Sequence, residues 1–348
     1  MKVNMNIVTT PKGDITIYEL VNAGGAIVRL SSLGAGILGI VVPDRDGNMA
    51  DVVLGYKDAA DYFYDGPCAG KVPGRYANRI ARGHLELDGV LHQLNINNGP
   101  NHLHGGPEGF SNRIWECEME GDTVVFSLDS PDGDENYPGN LTARVAYTWS
   151  DDNVLKIELG AVTDKTTVVN LTNHTYFNLA GEDKGGTALQ QTLQLHCSRY
   201  LPTDDTLIPT GELAPVADTP MDFTVAKQLG RDIKHDFPAL NYGKGYDNCW
   251  VIDGHEDNNV HLAAVLTDPA SGRQLEISTD QPAAQVYTGN WLEGCPTSKS
   301  GNQYHDYDGV AIECQGMPDA PNHDNFPSQV LRPDEEYRRV ILFAFKTV

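Results

Sequence analysis

An all-β fold, a large antiparallel β-sandwich, is what this sequence predicts, and three observations carry the prediction. Short runs of alternating apolar and polar residues recur along the chain, turn signals separate them, and no long segment repeats its apolar residues with a helical period. Ala143, Val145, Tyr147 and Trp149 alternate with Arg144, Ala146 and Thr148, and Leu155, Ile157, Leu159 and Ala161 alternate with Lys156, Glu158 and Gly160. Further strands are expected at 123–128, 192–197, 261–267, 274–278, 283–288, 310–314 and 339–345. Asp46-Gly47-Asn48, Asp88-Gly89, Asp132-Gly133 and Asp268-Pro269 punctuate them, and 35 glycines and 20 prolines suit a turn-rich chain. One short helix is expected at 224–231. The 348 residues, 40% apolar, are enough for a sizeable core, and neither a linker nor a repeat divides them, so a single domain over 1–348 is expected. The turn-rich stretch 200–223 carries Leu201, Leu207, Ile208 and Leu213 and is expected to pack down on the scaffold. Long ordered loops of this kind commonly hold a binding site.

Charge narrows the partners. Lys and Arg number 25 against 48 Asp and Glu, a net charge of −23. Such a field repels nucleic acid and anionic membranes, so a neutral small molecule is the expected ligand. The six cysteines are scattered with no CxxC pair, which points to isolated thiols in a reducing compartment. No stretch reads as a leader or a membrane span, and a cytoplasmic protein is expected, as a monomer or homodimer.

Five stretches could carry chemistry. In Asn170-Leu171-Thr172-Asn173-His174-Thr175-Tyr176-Phe177-Asn178, a strand running in from Thr166 puts Val169 and Leu171 on one face and Asn170, Thr172 and His174 on the other, wetter one. Histidine exchanges protons near neutral pH, although a satisfied core histidine fits the same pattern. Gly74–Arg79 and its continuation to Gly83 hold Arg75, Asn78, Arg79 and Arg82, donors suited either to sugar hydroxyls or to surface ion pairs. In Asn97-Asn98-Gly99-Pro100-Asn101-His102-Leu103-His104-Gly105-Gly106 the two histidines share a face if the backbone is extended. That H-x-H pair could bind a metal, but no carboxylate or thiolate at ligand spacing completes a set, so a polar loop over a ligand is expected and no metal. Asp247, between Tyr246 and Asn248, fits either an Asx turn or a sugar contact beside aromatic rings. In 308–315, Val310, Ile312 and Cys314 read as core, which turns Glu313 toward the opposite face, and in 283–287 the same alternation turns Gln285 and Tyr287 out.

Taken together these motifs resemble the aldose 1-epimerase, or galactose mutarotase, family. The resemblance runs nearly end to end: Val42-Pro43-Asp44-Arg45-Asp46-Gly47, Asp51-Val52-Val53-Leu54-Gly55, the clusters at 74–79 and 101–106, Tyr137-Pro138-Gly139-Asn140, 172–179, Tyr200-Leu201-Pro202-Thr203-Asp204, Pro209-Thr210-Gly211-Glu212 and Pro318-Asp319-Ala320-Pro321-Asn322-His323 follow in family order. It implies a cofactor-free enzyme on a mutarotase-like supersandwich that interconverts the α and β anomers of free hexoses such as galactose and glucose. It implies His174 as general acid and Glu313 as general base, on opposite sides of one pyranose, with Asn78, Arg79, His104, Asp247, Gln285 and Tyr176 holding the sugar. Ser111-Asn112-Arg113, Asn136 (for a common glycine) and Asp334 (likewise) depart from the family pattern. Other readings are a hexose-6-phosphate 1-epimerase using Arg75 and Arg82, a glycoside hydrolase using Glu313 and Asp247, and a sugar-binding sandwich without catalysis.

Overall fold

The computed structural model describes residues 1–348. Three antiparallel sheets make up most of it. A five-stranded sheet takes the N-terminal strands in chain order, from Lys2–Thr10 to Met49–Asp51. A nine-stranded sheet holds, among others, Thr123–Ser130, Leu141–Trp149, Val154–Thr163, Tyr337–Thr347, Arg273–Thr279 and His261–Thr267, and a six-stranded sheet holds Tyr176–Phe177, Val310–Gln315, Ala283–Tyr287, Asp247–Val251, Arg199–Leu201 and Ala214–Pro215. The alternation read from the sequence is realised here. Val145, Tyr147, Leu155, Ile157, Ile341 and Phe343 of the nine-stranded sheet face Leu20, Val28, Leu30 and Ile40 of the first sheet and Trp250, Val286, Val310 and Ile312 of the third within one continuous buried core. That burial is the main favourable contribution to the fold, at about 25 cal/mol per Å² of apolar surface removed from water.

The turns behave as their chemistry requires. Asp88 and Gly89 both take positive φ in the hairpin that joins His84–Leu87 to Val90–Gln93. Asn136 and Asp334, where the family pattern has glycine, also sit at positive φ, 69° and 67°, and Asn and Asp are the side chains that tolerate the left-handed region best.

Two expectations of secondary structure are corrected. The stretch 224–231 is not helical: only Lys227–Gln228 is regular, as an edge strand, because Asp222 caps Thr224 and Lys227 is drawn to Asp232 and the Pro220 carbonyl. The one α-helix is Pro238–Gly243, opened by a proline that is pre-set for a first helical turn. The strand expected to carry His174 stops at Thr167–Val168, and residues 169–175 are irregular and buried on both sides rather than wet on one. Their polar side chains do the work of a missing sheet. Asn170 donates to the Ala77 carbonyl and accepts from the Gly316 amide, Thr172 donates to the Cys314 carbonyl, Asn173 donates to the Gly70 carbonyl, and Asn178 donates to the Gly186 and Asp308 carbonyls. Asparagine and threonine compete well for backbone partners, which is why this segment can leave regular structure with the amide and hydroxyl side chains of Asn170, Thr172 and Asn173 paired.

Gly70 ties this segment to the first sheet. Its amide donates to the His174 carbonyl, its carbonyl accepts from Ile37, its φ is +73°, and a Cβ there would land on the Ile37 carbonyl. Gly70→Ala is expected to cost about 2 kcal/mol or more, as substitutions at positive φ with backbone overlap do. Urea denaturation measures it, and a loss below about 0.5 kcal/mol would contradict the tie.

Candidate active site

The outer face of the six-stranded sheet builds the site floor. Its inner residues, Trp250, Val286 and Ile312, go to the core, so alternation sends Asp247, Gln285, Tyr287 and Glu313 the other way. Register then fixes neighbours: Gln285 is opposite Glu313, Asp247 opposite Tyr287, and Tyr287 and Tyr176 are both opposite Ala311. The irregular segment 169–175 returns to this sheet at Tyr176–Phe177 and brings His174 over it.

These residues surround a cavity of about 620 Å³ whose wall includes Asn78, Arg79, His104, His174, Tyr176, Asp247, Tyr287 and Glu313. At its base His174 Nε2 lies 3.4 Å from Glu313 Oε1, and both side chains are almost fully buried, 4% and 2% exposed. Tyr176 packs its ring 5.0 Å from the imidazole and donates its hydroxyl to the Pro67 carbonyl at 3.0 Å. Burial pushes His174 down to about 4, with nearby Lys71 adding to the depression, and burial raises Glu313 well above the carboxylate range, with Asp247 adding and Arg79 opposing. Both shifts favour neutral groups, a neutral imidazole beside a carboxyl that keeps its proton more readily than a free one. The imidazole and the carboxylate are side by side, not on opposite sides of a ring-sized gap as expected from the sequence, because both rest on the same sheet face.

The upper wall comes from two residues at positive φ, Asn78 at 63° and His104 at 51°. They hold each other: the Asn78 amide donates to His104 Nδ1 at 3.1 Å and the His104 amide donates to the Asn78 carbonyl at 3.0 Å. With Nδ1 accepting, His104 carries its proton on Nε2 and offers a donor. Desolvation and the neighbouring His174 keep it neutral. Asn78 Oδ1 accepts from the Arg79 amide at 2.8 Å, so the side chain has its NH₂ group left to offer the cavity. The Arg79 guanidinium donates to Asn98 Oδ1 at 3.1 Å and stands 3.9 Å from Asp247 Oδ2.

Gln285 does not line the cavity. It donates to Asp247 Oδ1 at 2.6 Å from behind, which orients that carboxylate. The expected common face for His102 and His104 is also corrected. The positive φ at His104 breaks the extended backbone, and His102 turns away to the Asn95 carbonyl and the Tyr137 hydroxyl, each at 2.6 Å. Burial lowers His102 to about 4. His104, His174 and Glu313 do bring one ligating atom each within 4.8 Å, the composition of a metal site. The Asn78 amide, however, keeps the His104 proton on Nε2, where a metal would need a lone pair. Arg75 points elsewhere, donating to the Pro138 and Gly139 carbonyls and to Ser130, and exposed Arg82 lines a separate shallow depression.

Sequence reasoning missed part of the wall. Asp205, Thr206, Leu207, Tyr242 and Trp291 come from two separate loops and the short helix, where no periodicity marks them, whereas Asn98 belongs to the polar loop expected over a ligand. The packing expected of 200–223 holds for Leu201 and Ile208, which are buried, whereas Leu207 turns to the cavity. The one available signal was the length of that ordered loop.

Comparison with known proteins identifies the family. The family model for aldose 1-epimerase matches residues 16–344. The chain is 40% identical over 338 residues to human galactose mutarotase, covering 94% of this chain and 96% of the relative, and 41% identical over 336 residues to the aldose 1-epimerase of Haemophilus influenzae, with the same coverage. The crystal structure of galactose 1-epimerase from Lactobacillus acidophilus superimposes with a TM-score of 0.86 at 29% identity over 99% of both chains, and that of a GalM/aldose epimerase homologue from C. elegans with 0.87 at 32% identity over 99% of this chain and all of the homologue. The fold is therefore that of the galactose mutarotases, and this chain belongs to the aldose 1-epimerase family.

Proposed function

We propose that this protein is an aldose 1-epimerase that interconverts the α and β anomers of free hexoses, galactose and glucose first among them, with no cofactor and no metal. The observation that carries the reading is the 3.4 Å approach of His174 to Glu313 at the base of a polar cavity. Anomerisation moves two protons at one carbon: one leaves the anomeric hydroxyl, the other reaches the ring oxygen. The two oxygens are bonded to the same carbon, so an acid and a base must stand next to each other, as these do. Glu313 takes the hydroxyl proton as His174 protonates the ring oxygen. The C1–O5 bond breaks, the aldehyde forms, the C1–C2 bond rotates, and closure on the other face returns both protons by the reverse transfers. Burial alone leaves the shared proton on Glu313. Sugar hydroxyls donating to that carboxylate stabilise its ionised form and favour the proton on His174, which sets up the working pair. Arg79, Asn78, His104 and Asp247 hold the remaining hydroxyls, and Tyr176 keeps the imidazole plane in place.

The cavity also speaks to the rival substrates. Arg79 is the one basic side chain among arginines and lysines in its wall, against Asp205, Asp247 and Glu313. A neutral hexose suits that balance, and a phosphate would face it without Arg75 or Arg82. The six unpaired thiols fit a cytoplasmic setting. No helix is long and apolar enough to cross a membrane.

His174→Ala and Glu313→Ala are each expected to lower kcat for galactose mutarotation by about 10² or more with the far-UV spectrum unchanged. Polarimetry on freshly dissolved α-galactose checks this, and a near-normal rate in either variant overturns the assignment. The pH profile follows from the shared proton. Activity should fall below about pH 4, where His174 takes a second proton and Glu313 can no longer act as base, and should fall again as pH rises through the elevated Glu313 value, where the pair has no proton to give. A single limb near the ordinary histidine pKa would contradict the pairing. Asp247→Ala should lower kcat/KM by roughly 10-fold to 100-fold and Gln285→Leu by less, and the double variant should be no worse than Asp247→Ala, because Gln285 acts through Asp247.

A further inference from the structure

The Pro318–His323 motif lies outside the cavity wall, yet it grips the segment that presents Arg79. Arg79–Ile80 is a strand of two residues paired to His102–Leu103, and Arg82 just beyond it is at φ 54°. So short a strand does not hold a guanidinium in one place by its own pairing. Asp319 supplies what is missing. Its amide donates to the Arg79 carbonyl at 2.8 Å, and its Oδ1 accepts from the Ala81 amide at 2.9 Å. One residue thus clasps the backbone on both sides of Ile80. Asp319 is itself fixed: Asn322 Nδ2 donates to the same oxygen at 2.6 Å, His323 Nε2 stands 3.3 Å from Oδ2, and the side chain is only 2% exposed. Next to it, the Ala320 amide donates to the Tyr76 hydroxyl at 3.2 Å.

We propose that Asp319 is a positioning residue for sugar binding, acting through the backbone of Arg79 to hold the guanidinium between Asn98 and Asp247. It touches no substrate. Its effect falls on the hydroxyl contacts and not on the proton transfers, since His174 and Glu313 are anchored by other segments. This inference rests on the epimerase reading of the same cavity.

Asp319 sits at φ 57°, so replacement by glycine removes the carboxylate without straining the backbone. Asp319→Gly is expected to raise KM for galactose about tenfold while kcat changes less than about threefold. Asp319→Asn keeps an oxygen for the Ala81 amide and should return KM to within about threefold of the parent. The double variant Arg79→Lys, Asp319→Gly should show a KM well below the product of the two single effects. A KM unmoved in Asp319→Gly, a kcat loss as large as the KM rise, or fully multiplicative effects would each overturn the proposal. Calorimetric titration of galactose keeps the two readings apart. If the parent protein does not accelerate mutarotation, the epimerase reading fails. Weaker galactose binding by Asp319→Gly would still uphold the clasp, and equal binding would reject it.

Discussion

An imidazole and a carboxylate buried against each other make the rest of this site necessary. Neither His174 nor Glu313 is stable as an isolated charge in so dry a place, and burial drives both toward neutrality. Together they can keep one proton and move it between them. That arrangement works only if the two groups stay in contact without collapsing into a hydrogen-bonded core pair closed to ligand. Tyr176 and the backbone around Gly70 and Lys71 hold the histidine from one side, while the central strand Val310–Gln315 holds the glutamate from the other. The cavity above leaves room for a molecule whose own hydroxyls can take part in the exchange.

The two faces of one sheet divide structure from chemistry. In Val310–Gln315 every residue is buried, yet Val310 and Ile312 are buried in hydrocarbon and Glu313 beneath a polar cavity. A shift of register by one residue would exchange these sets, placing a carboxylate in the core and a valine or isoleucine at the reaction centre. Pairing on both sides, with Ala283–Tyr287 and Tyr176–Phe177, prevents that slip. On the opposite wall, Asn78 and His104 hold backbone conformations that side chains adopt rarely, and their reciprocal hydrogen bonds stabilise them there. Strain of this kind persists where the surroundings over-determine it, and it commonly marks a functional position.

Three arginines within eight residues look interchangeable in the sequence and do unrelated work. Arg75 is buried with its fork on the carbonyls of 130–139, Arg79 faces the cavity, and Arg82 lies in solvent. The same divergence separates His102 from His104. In both cases one turn residue at positive φ, Asn78, Arg82 or His104, redirects the chain, and the reach of a side chain follows from that turn and not from its spacing along the sequence.

Much of the molecule was legible before any coordinates. Period-two alternation identified the long strands and the face of Glu313, because a sheet buried on one side writes its geometry into every second residue. Glycine, aspartate and asparagine marked the tight turns, because few other residues accept a left-handed backbone. Resemblance in family order supplied the roles of the site residues, which alternation by itself left open between catalysis and a satisfied core. What tertiary structure decided was the irregular path of 169–175, the split of the two histidines, the retreat of Gln285 behind Asp247, the side-by-side placing of His174 and Glu313, and the loops that complete the wall. Each of these depends on hydrogen bonds between segments tens to hundreds of residues apart, such as Gly70 with His174 or Asp319 with Arg79. No local pattern encodes such a bond, since either partner could be satisfied elsewhere until the chain has closed around both.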